Sequence, residues 1–137
     1  MRTLQNMDGF KTERNYLAWV SGESSYGLLN QNIPDLAKRL YAEAESCLLA
    51  GAPDAAACMC RAAVEAALEN KGYGKATLND SIAAARAGGA LTDVETGMAH
   101  ANRLIAIQAI HRGELLDLSE IPAVLVTAVR VLNKLYP

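Results

Sequence analysis

Two basic side chains at either end of an uncharged segment could together carry out acid–base chemistry. Arg103 and His111 flank residues 104–110, none of which is charged. A histidine with a pKa near neutrality can move the proton of a ribose 2′-hydroxyl. An arginine can hold the scissile phosphate through two parallel hydrogen bonds and stabilise its added charge. The pattern suggests metal-independent RNA cleavage, with Arg103 and His111 as candidate catalytic residues.

The spacing of this pair limits what one copy of the helix can do. Arg103 and His111 are eight residues apart, or about 12 Å along a helix axis. His100 lies on the same side as His111, because their separation of eleven residues makes close to three turns. Two copies of the helix facing each other in a dimer bring an arginine and a histidine together more readily. The alternative is structural: His111 interacts with the helix dipole, and Arg103 pairs with a carboxylate such as Glu65.

A second candidate pair, Arg61 and Glu65, stands four residues apart on a predicted alanine-rich helix. Such a pair is usually solvated and contributes under about 0.5 kcal/mol. Arg61 follows a short apolar run, so we expect it to be partly buried and to need a partner. We predict a polar network between the second and fourth helices made of Arg61, Glu65, Arg103 and His111, with His100 as a further candidate. A small-ligand pocket at Arg61 and Glu65 is another alternative.

The sequence predicts no metal and no cofactor. Its cysteines are Cys47, Cys58 and Cys60, an odd number without a secretion signal, which is typical of the reducing cytoplasm. Cys58 and Cys60 would point about 200° apart on a helix, which disfavours a shared zinc ion. The net charge of -2 argues against bulk electrostatic binding of nucleic acid. No apolar run reaches the roughly 18 residues of a membrane span.

The elements that must position these residues are predicted to be helical. The chain has 137 residues, of which 51% are apolar and 20% charged, a balance typical of one globular domain. Valine and isoleucine are too scarce outside the C-terminal third to form a large sheet. We predict an irregular arm with aromatic residues over residues 1–29. Residues 30–137 should form a compact all-α bundle of about five helices.

Proline, glycine and capping residues divide this region into helices. The first two helices should form a hairpin, because only a short turn separates Gly51 from Pro53. A short helix follows and ends at Gly88-Gly89. A fourth begins at a capping box formed by Thr92 and Glu95 and runs to about Arg112. The fifth is capped by Ser119, and its valine run is also compatible with a strand, although the 3-4 spacing of apolar residues favours a helix.

The fourth helix stands out because it is apolar on nearly every side between Arg103 and His111. A helix that is apolar all round is buried all round. We therefore expect it to be the central helix of the bundle, or to bury one face against a second subunit.

Segments in a fixed order carry a resemblance to a known family. They are the hairpin from Ile33-Pro34 through Tyr41-Ala42-Glu43-Ala44 to Gly51; Ala56-Ala57 leading to Arg61-Ala62-Ala63-Val64-Glu65; Leu78 with Ile82; and Arg103 through His111, then Ser119 and the last helix to Leu135-Tyr136. In this order, residues 30–137 resemble a bacterial family of domains of unknown function, number 4145, in the HEPN superfamily.

The resemblance implies a helical bundle that dimerises. Many HEPN proteins are metal-independent ribonucleases of toxin or phage-defence systems that use an Arg…His motif, whereas others are binding modules. The Gly-Asn pair of the family's motif corresponds here to Ala106 and Ile107, so a polar group near the arginine and histidine is lost. We therefore expect a non-catalytic, homodimeric module that binds a protein partner in a bacterial or phage conflict system. The alternative is an endoribonuclease that uses Arg103 and His111 on RNA.

Overall fold

The computed structural model describes residues 25–111 and 121–137, which form α-helices and one 3-10 turn, with no strand. The helices are α1 (Asp35–Leu49), α2 (Pro53–Asn70), α3 (Leu78–Ala87), α4 (Asp93–His111) and α5 (Ile121–Leu135), and the 3-10 turn is Ser25–Leu28. The predicted all-α bundle of about five helices is confirmed, and the valine-rich segment is a helix. Residues 1–24 of the predicted arm, the predicted cap Ser119 and the predicted end at Arg112 lie outside the described residues.

A glycine ends each of the first three helices through one backbone geometry. At the end of α1, the N–H of Ala52 donates to the carbonyl of Cys47 at 2.8 Å, and that of Gly51 donates to Leu48 at 3.0 Å. Gly51 has a φ of 81°, which a residue without a Cβ adopts at little cost. The same pair of bonds closes α2 around Gly72 and α3 around Gly89. The short turn after Gly51 returns the chain along α1 as the predicted hairpin.

The centre of the bundle is α2, which packs against α1, α3, α4 and α5. Its buried face is made mainly of small side chains: Ala56, Ala57, Cys60, Ala63, Val64, Ala67 and Leu68. Small side chains let neighbouring helices approach one axis closely. The prediction that α4 is the central helix, buried on every side, is wrong for the single chain. Leu104 and Ile110 of α4 are each 53% exposed.

The C-terminal helix α5 supplies the larger core residues and is anchored at its end. Its large, fully buried side chains are Val124, Leu125, Val131, Leu132 and Leu135. Beyond the helix, the hydroxyl of Tyr136 donates to the carbonyl of Ala67 in α2 at 3.2 Å. The backbone N–H of Asn30 donates to Oδ1 of Asn133 at 2.8 Å. These bonds hold the end of α5 against α2 and against the segment before α1, so α5 offers a fixed surface to α4.

Candidate functional site on the fourth helix

The start of α4 is fixed by an interaction between Thr92 and Glu95. The backbone N–H of Thr92 donates to Oε1 of Glu95 at 3.0 Å, and the Thr92 hydroxyl donates to the same oxygen. This is the half of the predicted capping box in which the glutamate reaches back to the first free N–H. The hydrogen bond from the Thr92 hydroxyl holds the pKa of the Glu95 carboxyl below its usual range. The carboxylate also interacts favourably with the helix dipole.

The exposure of its side chains divides α4 into three surfaces. The inner face is buried and consists of Ala99, Asn102, Ala106 and Ala109. The outer face is exposed and consists of Val94, Gly97, Ala101 and Leu104. The flank between them on the side of His100 is half-buried and consists of Thr96, His100, Arg103 and Ile107. On the opposite side, Met98 and Ile105 are partly buried against the core. The candidate chemistry of α4 therefore lies on its flank, and two of its exposed large apolar side chains, Val94 and Leu104, lie on the outer face, whereas the third, Ile110, does not.

Asn102 is the polar residue of the inner face and is only 1% exposed. Its Nδ2 donates to the carbonyl of Val124 at 3.1 Å and to Oγ1 of Thr127 at 2.9 Å, which joins α4 to α5. Its Oδ1 is buried and has no hydrogen-bond partner. If either helix shifted along the other, the buried amide of Asn102 would lose its acceptors. Asn102 therefore fixes the packing of α4 against α5.

The flank brings together His100 and Arg103, one helical turn apart. The Nε of Arg103 donates to Nδ1 of His100 at 3.3 Å. An imidazole that accepts at Nδ1 is neutral and carries its hydrogen on Nε2. Burial lowers the pKa of His100, and the positive charge of Arg103 lowers it further. Near neutral pH, this contact therefore holds a neutral imidazole beside a charged guanidinium.

The predicted partner of Arg103 in catalysis, His111, is the last residue of α4. Its side chain lies outside the described part of the structure. The pairing of Arg103 with His111 therefore stays a prediction.

The candidate pair on α2 has a different environment at each position. Arg61 is half-buried, and its Nε is buried without a hydrogen-bond partner. Glu65 is exposed. Ion pairs elsewhere on the surface join Arg39 to Glu43 and Arg86 to Asp93. The network of Arg61, Glu65, Arg103 and His111 stays a prediction.

The described residues contain no cluster of three or more side chains suited to hold a metal ion. Burial raises the pKa of the Cys60 thiol far above its ordinary value, and the nearby carboxylate of Glu45 adds to this effect. Cys60 is therefore a packed thiol rather than a thiolate ligand. In the same part of the chain, every helix is too short or too polar to cross a membrane.

The family described as Domain of unknown function (DUF4145) matches residues 42–137 of the chain. The chain belongs to this family. The DUF4145 match begins within α1 and includes α2 to α5, so all three surfaces of α4 lie inside it. The resemblance to family 4145 that the sequence indicated is confirmed. Neither a curated protein nor a solved structure matches the chain.

Sequence reasoning missed Asn102 as an important residue of α4. The signal was present, because Asn102 is spaced by three and four residues from Ala99 and Ala106, the spacing of one helix face. A polar residue among alanines on a buried face needs a partner on the neighbouring helix. The uncharged run after Arg103 predicts instead that its apolar side chains are buried, but Leu104 and Ile110 are exposed.

Proposed function

We propose that this DUF4145 domain is a non-catalytic protein-interaction module that works as a homodimer and binds a further protein. The outer face of α4 carries the proposal. Val94 is 58% exposed and Leu104 is 53% exposed, and Gly97 and Ala101 lie between them on the same face. Single exposed apolar residues are common on protein surfaces. A continuous uncharged face along one helix instead indicates contact with another chain.

The flank of α4 supports a binding role over catalysis. Nδ1 of His100 accepts a hydrogen bond from Arg103, so this nitrogen is not available as a base. At the positions of the family's Gly-Asn pair, Ala106 is fully buried and Ile107 is half-buried beside Arg103. An isoleucine provides no hydrogen bond to a phosphate or a ribose. Membership of the HEPN-like superfamily and a role in a bacterial or phage conflict system form part of this proposal and rest on the sequence resemblance.

The proposal is tested by the association of purified protein. Leu104→Asp places a charge on the outer face without touching the core, so we expect it to abolish dimer formation in sedimentation equilibrium. Leu36→Asp is the matched control, because Leu36 is 49% exposed on α1. We also expect Leu104→Asp, but not Leu36→Asp, to lose binding to the proteins encoded beside the gene, measured by calorimetry. Wild type that stays monomeric at millimolar concentration and binds none of these proteins contradicts the proposal.

A second candidate function is metal-independent RNA cleavage, and the position of Arg103 favours it. Its guanidinium lies on the half-buried flank of α4, where it could bind a phosphate. The test is cleavage of single-stranded RNA in EDTA by wild type, Arg103→Ala, His111→Ala and His100→Ala. Equal background activity in all four eliminates this function. Activity that Arg103→Ala and His111→Ala both lose would replace the leading proposal.

A further inference from the structure

We infer that the seam between α4 and α5 binds an amphipathic helix of another protein, whose apolar face lies on α4 and whose acidic edge lies against α5. The seam consists of Met98 and Ile105 of α4 and of Thr127, Arg130 and Lys134 of α5. This inference rests on the proposed function, because it names the surface and the partner chemistry through which the module binds a further protein.

The packing of α4 against α5 brings the side chains of the seam to one surface. Asn102 of α4 donates to Oγ1 of Thr127 at 2.9 Å, so these two residues lie at the same level of the interface. Met98 and Ile105 stand four residues before and three residues after Asn102, which places them beside it on α4. Both are partly buried against the core, on the side of α4 opposite His100. They therefore form the edge of α4 that borders α5.

The basic edge of the seam belongs to α5. Thr127, Arg130 and Lys134 follow one another at intervals of three and four residues, the spacing of one helix face. Arg130 and Lys134 are both exposed. The pKa of the Glu95 carboxyl is lowered mainly by its hydrogen bond with Thr92, and the positive charge of Lys134 also lowers it. Lys134 therefore lies close to the start of α4, so the two helices run antiparallel and the basic edge follows α4 along its first turns.

The apolar side of the seam continues onto the outer face of α4. Val94 precedes Met98 by four residues, and Ala101 precedes Ile105 by four, so the members of each pair are neighbours on the helix surface. Val94 and Ala101 are exposed. Together these residues make an uncharged surface wider than one row of side chains, which suits the apolar face of an amphipathic helix.

Charge complementarity selects an acidic partner for this surface. Residues 96–110 contain no aspartate or glutamate, and neither does α5. The charges that border the seam along these stretches are therefore positive. Glutamates on one edge of a docked helix would lie opposite Arg130 and Lys134, whereas lysines at the same positions would be repelled. Two copies of the seam would bring like charges together, so its occupant is a different protein.

Fluorescence anisotropy with two synthetic peptides tests the partner chemistry. Both peptides are amphipathic helices of about 18 residues with leucines at 3-4 spacing. One carries glutamates along one edge, and the other carries lysines there. We expect wild type to bind the glutamate peptide about tenfold more tightly than the lysine peptide at low salt, and this preference to shrink at high salt because salt screens exposed charges. Equal binding of the two peptides, or binding of neither, overturns the inference.

Charge reversal tests the basic edge. Arg130→Glu combined with Lys134→Glu should invert the preference, so that the lysine peptide binds about tenfold more tightly than the glutamate peptide. Circular dichroism checks that the variant is folded. Arg39→Glu combined with Lys75→Glu is the matched control, because it changes the net charge equally at exposed positions outside the seam. A control variant that inverts the preference as fully shows a bulk charge effect and overturns the basic edge.

A neutral substitution tests the apolar side. Ala101→Gln adds a polar side chain without a charge at an exposed position of α4. We expect both peptides to bind about fivefold or more weakly, because the glutamine separates their leucines from Met98 and Ile105. Unchanged binding of both peptides overturns the docking of an apolar face.

The outcomes separate this inference from the proposed function. If the peptides do not bind but Leu104→Asp still abolishes binding to a protein, the seam fails as the docking site while the interaction module stands. If single-stranded RNA binds more tightly than the glutamate peptide and Arg130→Glu with Lys134→Glu abolishes this binding, the basic edge belongs to a nucleic-acid site and the inference is overturned. If wild type also stays monomeric and binds no protein, both fail.

Discussion

Replacing Asn102 by aspartate should destabilise the domain far more at neutral than at acidic pH. The change is nearly isosteric, but it removes the amide that donates to Val124 and Thr127. The new carboxyl is enclosed at a position that is 1% exposed. We expect it to remain protonated in the folded protein, because a buried carboxylate facing a carbonyl oxygen is strongly disfavoured.

The size of this effect follows from the proton that the folded state must retain. Keeping an aspartic acid of ordinary pKa about 3.9 protonated at pH 7 costs about 4 kcal/mol, at 1.36 kcal/mol per pH unit. At pH 5 the same cost is about 1.5 kcal/mol. The folded pKa is raised, so the folded state binds more protons than the unfolded state. The free energy of unfolding therefore falls as pH rises above about 4.

The assay is urea unfolding followed by circular dichroism at pH 5 and pH 7, with each variant compared with wild type at the same pH. Asn102→Ala serves as the control, because it loses the same hydrogen bonds without gaining a titratable group. We expect it to cost about 1–3 kcal/mol at both pH values. An Asn102→Asp protein whose destabilisation is the same at both pH values, or no larger than that of Asn102→Ala, would refute the buried role of Asn102.

Further predictions concern contacts elsewhere in the bundle. A Cβ at Gly88 would lie 2.8 Å from the hydroxyl oxygen of Tyr73, so Gly88→Ala should cost about 1–3 kcal/mol in urea unfolding. Adding Tyr73→Ala should cancel most of that cost, whereas additive effects would contradict the contact. Arg103→Gln should raise the pKa of His100 in an NMR titration. An unchanged titration would contradict the contact between Arg103 and His100. Because the pKa of His100 is depressed in the folded state, the contribution of this histidine to the free energy of unfolding is complete above about pH 6.5 and is lost as pH falls. Glu95→Gln should remove the stability that the Glu95 carboxylate gives wild type above about pH 4.3 and that wild type loses as pH falls. If wild type and Glu95→Gln lose stability equally as the pH is lowered, the cap formed by Glu95 is ruled out.

The helix ends and most of the core could be predicted from sequence because both depend on local rules. The turn at Gly51 and the short link to Pro53 specify a hairpin whatever the rest of the chain does. Leu78, Ile82 and Ala85 follow one another at intervals of four and three residues, which predicts one face of a helix, and all three are buried in α3. A glycine at a helix end and a 3-4 spacing of apolar residues constrain the backbone over a few residues, so no tertiary information is needed.

The orientation of α4 could not be predicted because its apolar residues do not distinguish one side from another. Leu104 and Ile110 are as apolar as any core residue, yet the buried face is formed by Ala99, Ala106 and Ala109 around Asn102. Which side of α4 is buried is decided by its neighbours: α2 presents a face of small side chains, and α5 presents the acceptors for the Asn102 amide. This choice depends on two helices at once, which the pattern of one helix cannot reveal.

The central claim, that the outer face of α4 is a protein-contact surface, is tested most directly by methyl NMR of wild type on dilution from millimolar to micromolar concentration. The account predicts that the methyl signals of Val94 and Leu104 shift with concentration, while those of Leu36, which is also exposed on the surface, stay in place. Signals of Val94 and Leu104 that do not move with concentration or on addition of a binding protein would contradict it.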